Sequence, residues 1–138
     1  DVCILQIDDP KYEKNRPTGK FVSSTTVKPG DLVFSVGNTA GTSFDMSYGF
    51  VTNSALSSDR GLADNQKFAY DQLDFLQATM LLEEGFSGGP IVNTQGDIVG
   101  IIQQRGEMEP RCYAIPSNDL VFVMKTVMSG LRPFAEPG

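Results

Sequence analysis

The chain has 138 residues, enough for one domain with a sizeable core. Its formal charge of −6, from 11 basic and 17 acidic side chains, argues against general nucleic-acid binding and against attachment to an anionic membrane. No apolar run approaches the length of a transmembrane helix, and no histidine is present, which removes the commonest general base and metal ligand.

The two cysteines, Cys3 and Cys112, are too few for a disulfide framework and lack metal-ligand spacing. Each lies in an apolar stretch and reads as a buried free thiol. Together with the absence of a glycosylation sequon, they lean toward a reducing, intracellular or organellar setting. No cofactor and no metal is expected.

In chain order, Asp1 to Ile7 is a β-type apolar run, and residues 8–20 form a polar linker with Pro10, Pro17 and Gly19. Lys28-Pro29-Gly30-Asp31 is a turn feeding a strand from Leu32 to Gly37. Asn38 to Ser43 reads as a loop. Ser47 to Ser54 reads as a strand, with Gly49 a bulge or a point of close approach. Ser57 to Asp74 is a long polar loop, with a helical turn around Lys67 to Leu73, and Phe75 to Thr79 is the next strand.

Asn93-Thr94-Gln95-Gly96 closes a hairpin, Arg105 to Arg111 is a charged loop, and Cys112 to Ile115 is a short strand. Ser117 suits a helix N-cap, with Asp119 in the first turn to complement the dipole. Leu120, Val123, Met124, Val127, Met128 and Leu131 then recur at helical spacing as a packing face, and Gly130 and Pro133 end the helix. Many short strands and one terminal helix predict an all-β fold: an antiparallel barrel closed by a C-terminal helix.

The chemistry concentrates at Gly85-Phe86-Ser87-Gly88-Gly89-Pro90. A serine between glycines, at the mouth of a hairpin, suggests a nucleophile held on a bend where backbone N–H groups gather, with a plain turn serine as the alternative. The pattern Gly-x-Ser-x-Gly also fits the nucleophile elbow of α/β-hydrolases, but that elbow joins a strand to a helix. Here Pro90 follows, then strand, turn and strand from Ile91 to Val99, so the elbow is excluded.

Phe75-Leu76-Gln77, the run from Gly85 to Asn93, and Gly96-Asp97-Ile98-Val99-Gly100-Ile101 resemble the serine-bearing strands of HtrA/Do (Deg)-type serine proteases of the chymotrypsin fold. Asp31 to Asn38, Gly49-Phe50-Val51 and Tyr113-Ala114-Ile115-Pro116-Ser117 resemble neighbouring strands and the helix junction of that family. Asp1-Val2-Cys3-Ile4-Leu5 resembles the segment headed by its catalytic aspartate.

The resemblance implies a second barrel of a two-barrel protease, with residues 1–20 as the end of the first barrel and linker. Residues 21–132 would be the C-terminal barrel with its closing helix, and 133–138 a tail with no PDZ module following. It implies Ser87 as nucleophile, the N–H groups of Gly85 and Ser87 as oxyanion hole, and Asp1 as the residue orienting a base histidine located upstream. Ile102, Gln103 and Gln104 would pair with substrate backbone, and Leu81 would face the primary specificity pocket. The implied partners are a polypeptide substrate and the first barrel, with homo-oligomerisation open. A barrel without its mate is also expected to expose an apolar face.

Besides the missing PDZ module, two departures qualify this, at the base and at Phe86. The base histidine is not in the chain; Lys67 and Lys125 are candidates for a Ser–Lys dyad by elimination only. Phe86 stands where the family has a small polar residue, and either reshapes the oxyanion loop or packs inward. Glu83 and Glu84 read as solvated carboxylates, with a preference for basic substrate residues as the alternative. The reading is therefore a serine endopeptidase, with an inactive peptide-binding relative and a plain structural β-domain as the competing classes.

Overall fold

The computed structural model describes residues 2–9, 11–12, 16–39, 43–57, 74–106 and 109–130. Six strands close an antiparallel barrel: β1 (Leu32–Thr39), β2 (Ser43–Ser57), β3 (Asp74–Met80), β4 (Pro90–Val92), β5 (Ile98–Arg105) and β6 (Arg111–Pro116). Around the barrel the order is β1-β2-β3-β6-β5-β4, with β4 pairing back onto β1. The helix α1 (Ser117–Met128) follows β6 directly and packs on β5 and β6. The expected barrel with one closing helix is what forms.

Side-chain alternation explains the near-continuous apolar strands. On β3 and β6, Leu76, Ala78, Cys112 and Ala114 fill the barrel with Val33, Val51, Ile91, Val99 and Ile102. The intervening Phe75, Tyr113 and Ile115 point outward, where Leu120 of α1 covers them. Both faces of these strands are buried, so the sequence loses its polar alternation. Gly49 is the close approach that the strand needed: a Cβ there would stand 1.5 Å from the Thr79 carbonyl oxygen on β3. The hairpin at Asn93 also forms, with its Oδ1 accepting from the N–H groups of Gln95 and Asp97.

Five local expectations are corrected. Residues 2–7 are not a strand: they pair with no described strand, and Leu5 stays 85% exposed. Cys3 lies in this run and is exposed, not buried. The loop expected from Asn38 to Ser43 is ladder at both ends, where Asn38 pairs with Phe44 and Thr39 with Ser43, while residues 40–42 lie outside the described residues. Ser117 is the first helical residue, not the cap; its hydroxyl donates to the Val22 carbonyl and ties the helix start to the segment before β1. Finally, α1 buries mainly its first turn, since Leu120 is buried whereas Met128 is 77% exposed. The helical turn expected at Lys67 to Leu73 lies outside the described residues.

Asp119, in the first turn of α1, has its carboxyl pushed above the ordinary range by burial and, secondarily, by the charge of Asp74. An apolar stripe of Phe44, Met46, Tyr48 and Phe50 is exposed along one face of β2, with Val36 across the ladder from Met46. Among the described residues no helix is long and apolar enough to cross a membrane.

The two thiols should separate chemically. Burial raises the Cys112 pKa from 9.0 to about 11, with a smaller opposing effect from a backbone hydrogen bond at Ala78. At pH 8 a disulfide reagent is expected to titrate Cys3 at once and Cys112 only on unfolding. Because the folded thiol titrates higher than the unfolded one, its contribution to stability is intact below pH 9.0 and declines toward about 11. Two equivalents reacting rapidly in the folded state would contradict this burial.

Candidate active site

After β3 the chain leaves the barrel at Leu81 and returns at Pro90, and Ser87 sits in the excursion. Two features fix its shape. Gly85 has φ of 107°, and the Asn38 N–H of β1 donates to its carbonyl at 3.2 Å. A Cβ on Gly85 would stand 2.1 Å from the Asn38 oxygen, so only glycine allows both this backbone conformation and this approach.

The second feature is Phe86. It is 3% exposed and belongs to the barrel core, with its ring against Gly37, where a Cβ would meet the ring at 2.7 Å. The inward face of β1 shrinks from Val33 to Ser35 and Gly37, and the ring occupies the room this leaves. Phe86 therefore packs inward. Its ring anchors the loop while its neighbour Ser87 is exposed.

Beyond Ser87, two backbone bonds fasten the loop to β5: Gly88 N–H to Ile102 carbonyl at 2.8 Å, and Ile102 N–H to Gly89 carbonyl at 2.9 Å. Strand β4 pairs with β5 only as far as Ile101, while β5 continues to Arg105. The stretch Gln103-Gln104-Arg105 thus overhangs β4 beside the serine loop, with a bulge at Gln103 in its pairing to β6. Among the described residues, no hydrogen bond takes up the N–H of Gly85 or of Ser87, nor the Ser87 hydroxyl.

A cavity of about 70 Å³ lies beside the serine, with Ser87, Ile102, Leu82 and Arg105 among its walls. A larger depression of about 430 Å³ lies on the other side of the loop, between Leu81, Phe86 and the Met46 and Tyr48 side chains of β2. Leu81 is 73% exposed and lines this second depression; Leu82 is the leucine beside Ser87. Glu83 borders both, whereas Glu84 borders only the smaller.

The loop thus brings Gly85, Ser87 and Ile102 together, with the half-buried Gln103 and Gln104 following on β5. Asp1 and Lys67 lie outside the described residues. Lys125 is exposed near the end of α1, and no hydrogen bond joins it to Ser87 among the described residues. Likewise, among the described residues no three Cys, Asp or Glu side chains gather as a metal-binding group. Two residues escaped sequence reading: Gly37, whose signal was a glycine inside a strand, and Arg105, a charge ending an apolar strand.

Gly85→Ala tests the loop geometry. The clash with Asn38 should break the Asn38–Gly85 bond and displace the N–H groups on either side of Phe86. Were these N–H groups oxyanion donors, losing one would typically cost about 10²–10³ in rate. Labelling of Ser87 by a fluorophosphonate is expected to fall on that order, and an unchanged rate would show that the loop tolerates a side chain.

The trypsin-like peptidase domain family matches residues 1–101. The chain is 29% identical over 133 residues to the Do-like serine protease HtrA of Bacillus subtilis, covering 94% of this chain and 28% of that protein. It is 35% identical over 104 residues to a probable periplasmic DegP-like serine endoprotease of Pseudomonas savastanoi, covering 75% and 19%. With the periplasmic serine endoprotease DegP of Escherichia coli K12 it shares 30% identity over 122 residues, covering 86% and 23%. The chain therefore spans less than a third of each of these relatives.

Among solved structures, an HtrA-type protease AlgW with a tripeptide superimposes with a TM-score of 0.69 at 22% identity, covering 85% of this chain and 38% of that one. A barrel of this topology, a family match across the serine loop and similarity to Do-like proteases along most of this chain agree. The chain belongs to the trypsin-like peptidase family, as an HtrA-type protease domain of the chymotrypsin fold.

Proposed function

We propose that this domain carries the nucleophile of an HtrA-type serine endopeptidase whose base histidine lies outside the 138 residues. The observation that carries the reading is the exposed Ser87 held between a core-anchored Phe86 and a loop fastened to β5. The Ser87 Oγ attacks the carbonyl carbon of the substrate, and its proton passes to the histidine. The N–H groups of Gly85 and Ser87 stabilise the oxyanion, each supplying about 2.7–4 kcal/mol as preorganised donors do. The base then protonates the leaving amine, and water hydrolyses the acyl-enzyme.

In this assignment residues 1–20 are the end of the first barrel and the linker, and Asp1 orients the histidine. Residues 21–132 are the barrel that presents Ser87. The overhanging Gln103 and Gln104 extend β5 where an added peptide strand would pair, as in β-augmentation. The partners are a polypeptide substrate and the first barrel.

A second reading follows from the dependence of Ser87 on a base that these 138 residues do not supply. A degenerate protease would keep the groove for peptide docking and lose turnover. Fluorophosphonate labelling of the full-length protein separates the two. Modification mapped to Ser87 supports the endopeptidase, whereas an unmodified Ser87 beside a reactive control protease leaves the docking module.

A further inference from the structure

Among the described residues before Lys20, the polar contacts stay local. The Lys11 and Tyr12 N–H groups donate to Asp9, and the Arg16 guanidinium lies over the Tyr12 ring. The first hydrogen bond to the barrel comes at Lys20, whose carbonyl accepts from the Ile98 N–H of β5 at 2.7 Å.

The next residues are then gripped from two sides. The Val22 N–H donates to the Ile98 carbonyl at 3.1 Å, and Phe21 bridges Ile98 in parallel. Alternation puts Val22 on the barrel core and Phe21 on the outer cluster of Tyr113, Ile115 and Leu120. From the other side, the Ser117 hydroxyl of α1 donates to the Val22 carbonyl at 2.5 Å, and Asn118 Oδ1 accepts from the Ser24 N–H at 3.3 Å. Ser117 is fully buried, which strengthens its bond. The Lys20–Asp97 ion pair, at 3.7 Å with Lys20 exposed, adds little.

Strand β5 also holds the serine loop. Ile98 takes Lys20 and Val22, while Ile102, roughly 13 Å further along the strand, takes Gly88 and Gly89. We propose that Ser117 is a positioning residue, whose clamp on Val22 fixes where the chain before Lys20 stands relative to Ser87. The inference rests on the reading of Ser87 as nucleophile and of a base carried by the first barrel. Without the hydroxyl, the Val22 carbonyl loses its partner on α1 and the segment is held by β5 alone. The first barrel, and the base with it, then shifts against the serine. A catalytic group misplaced by about 1 Å costs on the order of 10²-fold in rate.

The test uses the full-length protein, with kcat counted per Ser87 labelled by fluorophosphonate at completion. In Ser117→Ala, kcat per labelled site is expected to fall about tenfold or more. KM for a peptide substrate should stay within about twofold, as for a loss confined to the transition state. Asn118→Ala removes the longer contact and should fall in the same direction by less; Asn118 is exposed, so this variant decides alone should Ser117→Ala not fold. Val51→Ala is the control, since it thins the barrel core on β2, which the clamp does not touch. It should lower the urea midpoint and leave kcat per labelled site unchanged. An equal loss in Val51→Ala would make the effect one of stability and overturn the positioning role. Wild-type kcat per labelled site in both clamp variants would overturn the clamp alone. An unlabelled Ser87 in the wild type would overturn the nucleophile and the clamp together.

Discussion

Ser87→Ala is expected to lower peptide hydrolysis by the full-length protein on the order of 10⁶-fold, the cost of deleting the nucleophile of a serine protease. Folding should be unaffected. The side chain is exposed, and no hydrogen bond joins its hydroxyl to the described residues. A surface substitution of this kind changes stability by about 0.5 kcal/mol or less.

The pH profile of the active protein then identifies the base. A histidine base gives a rate that rises through its ordinary titration range near pH 6.5 and levels off above it. A lysine base would keep the rate climbing at higher pH unless burial lowered its pKa. Hydrolysis surviving in Ser87→Ala, after removal of contaminating proteases, would remove Ser87 from the mechanism.

How much of this was legible in the sequence depends on how local each determinant is. The hairpin at Asn93 and the turn before β1 are set by residues within a few positions, and both form as read. The serine loop is also local in composition, and its glycines marked it before any coordinate. Its shape is not local. Gly85 needs positive φ partly because Asn38, on β1, approaches it from a distant part of the chain.

Phe86 could go inward or reshape the loop until the small inward residues of β1 were known to face it. The run Val2 to Ile7 has the composition of a strand, but a strand needs a partner alongside it, and no described strand lies in register with this run. The apolar stripe of α1 likewise packs at its start, with Leu120 buried and Val123 and Met124 half-buried, and runs out at the exposed Val127 and Met128. The base stayed invisible for a simpler reason: no residue of the expected type is present.

Phe86→Ala should have the largest effect on stability, because the ring is both core and anchor. Emptying a buried aromatic site typically costs about 3–5 kcal/mol. That is a large share of the roughly 5–15 kcal/mol that holds a domain folded. The loop should suffer beyond this, since the buried ring is what holds the exposed Ser87 in place, and labelling of Ser87 should slow even in the folded fraction. Gly37→Ala attacks the same contact from β1: the added Cβ would lie 2.7 Å from the ring, an overpacking worth about 1–3 kcal/mol. The double variant Phe86→Leu with Gly37→Ala gives the new methyl room by shortening its neighbour. Its loss of urea midpoint, at unchanged slope, is expected to fall short of the sum of the single losses, as for residues in direct contact. Strict additivity would mean that Phe86 and Gly37 do not sense each other, and that something other than this ring holds the serine loop.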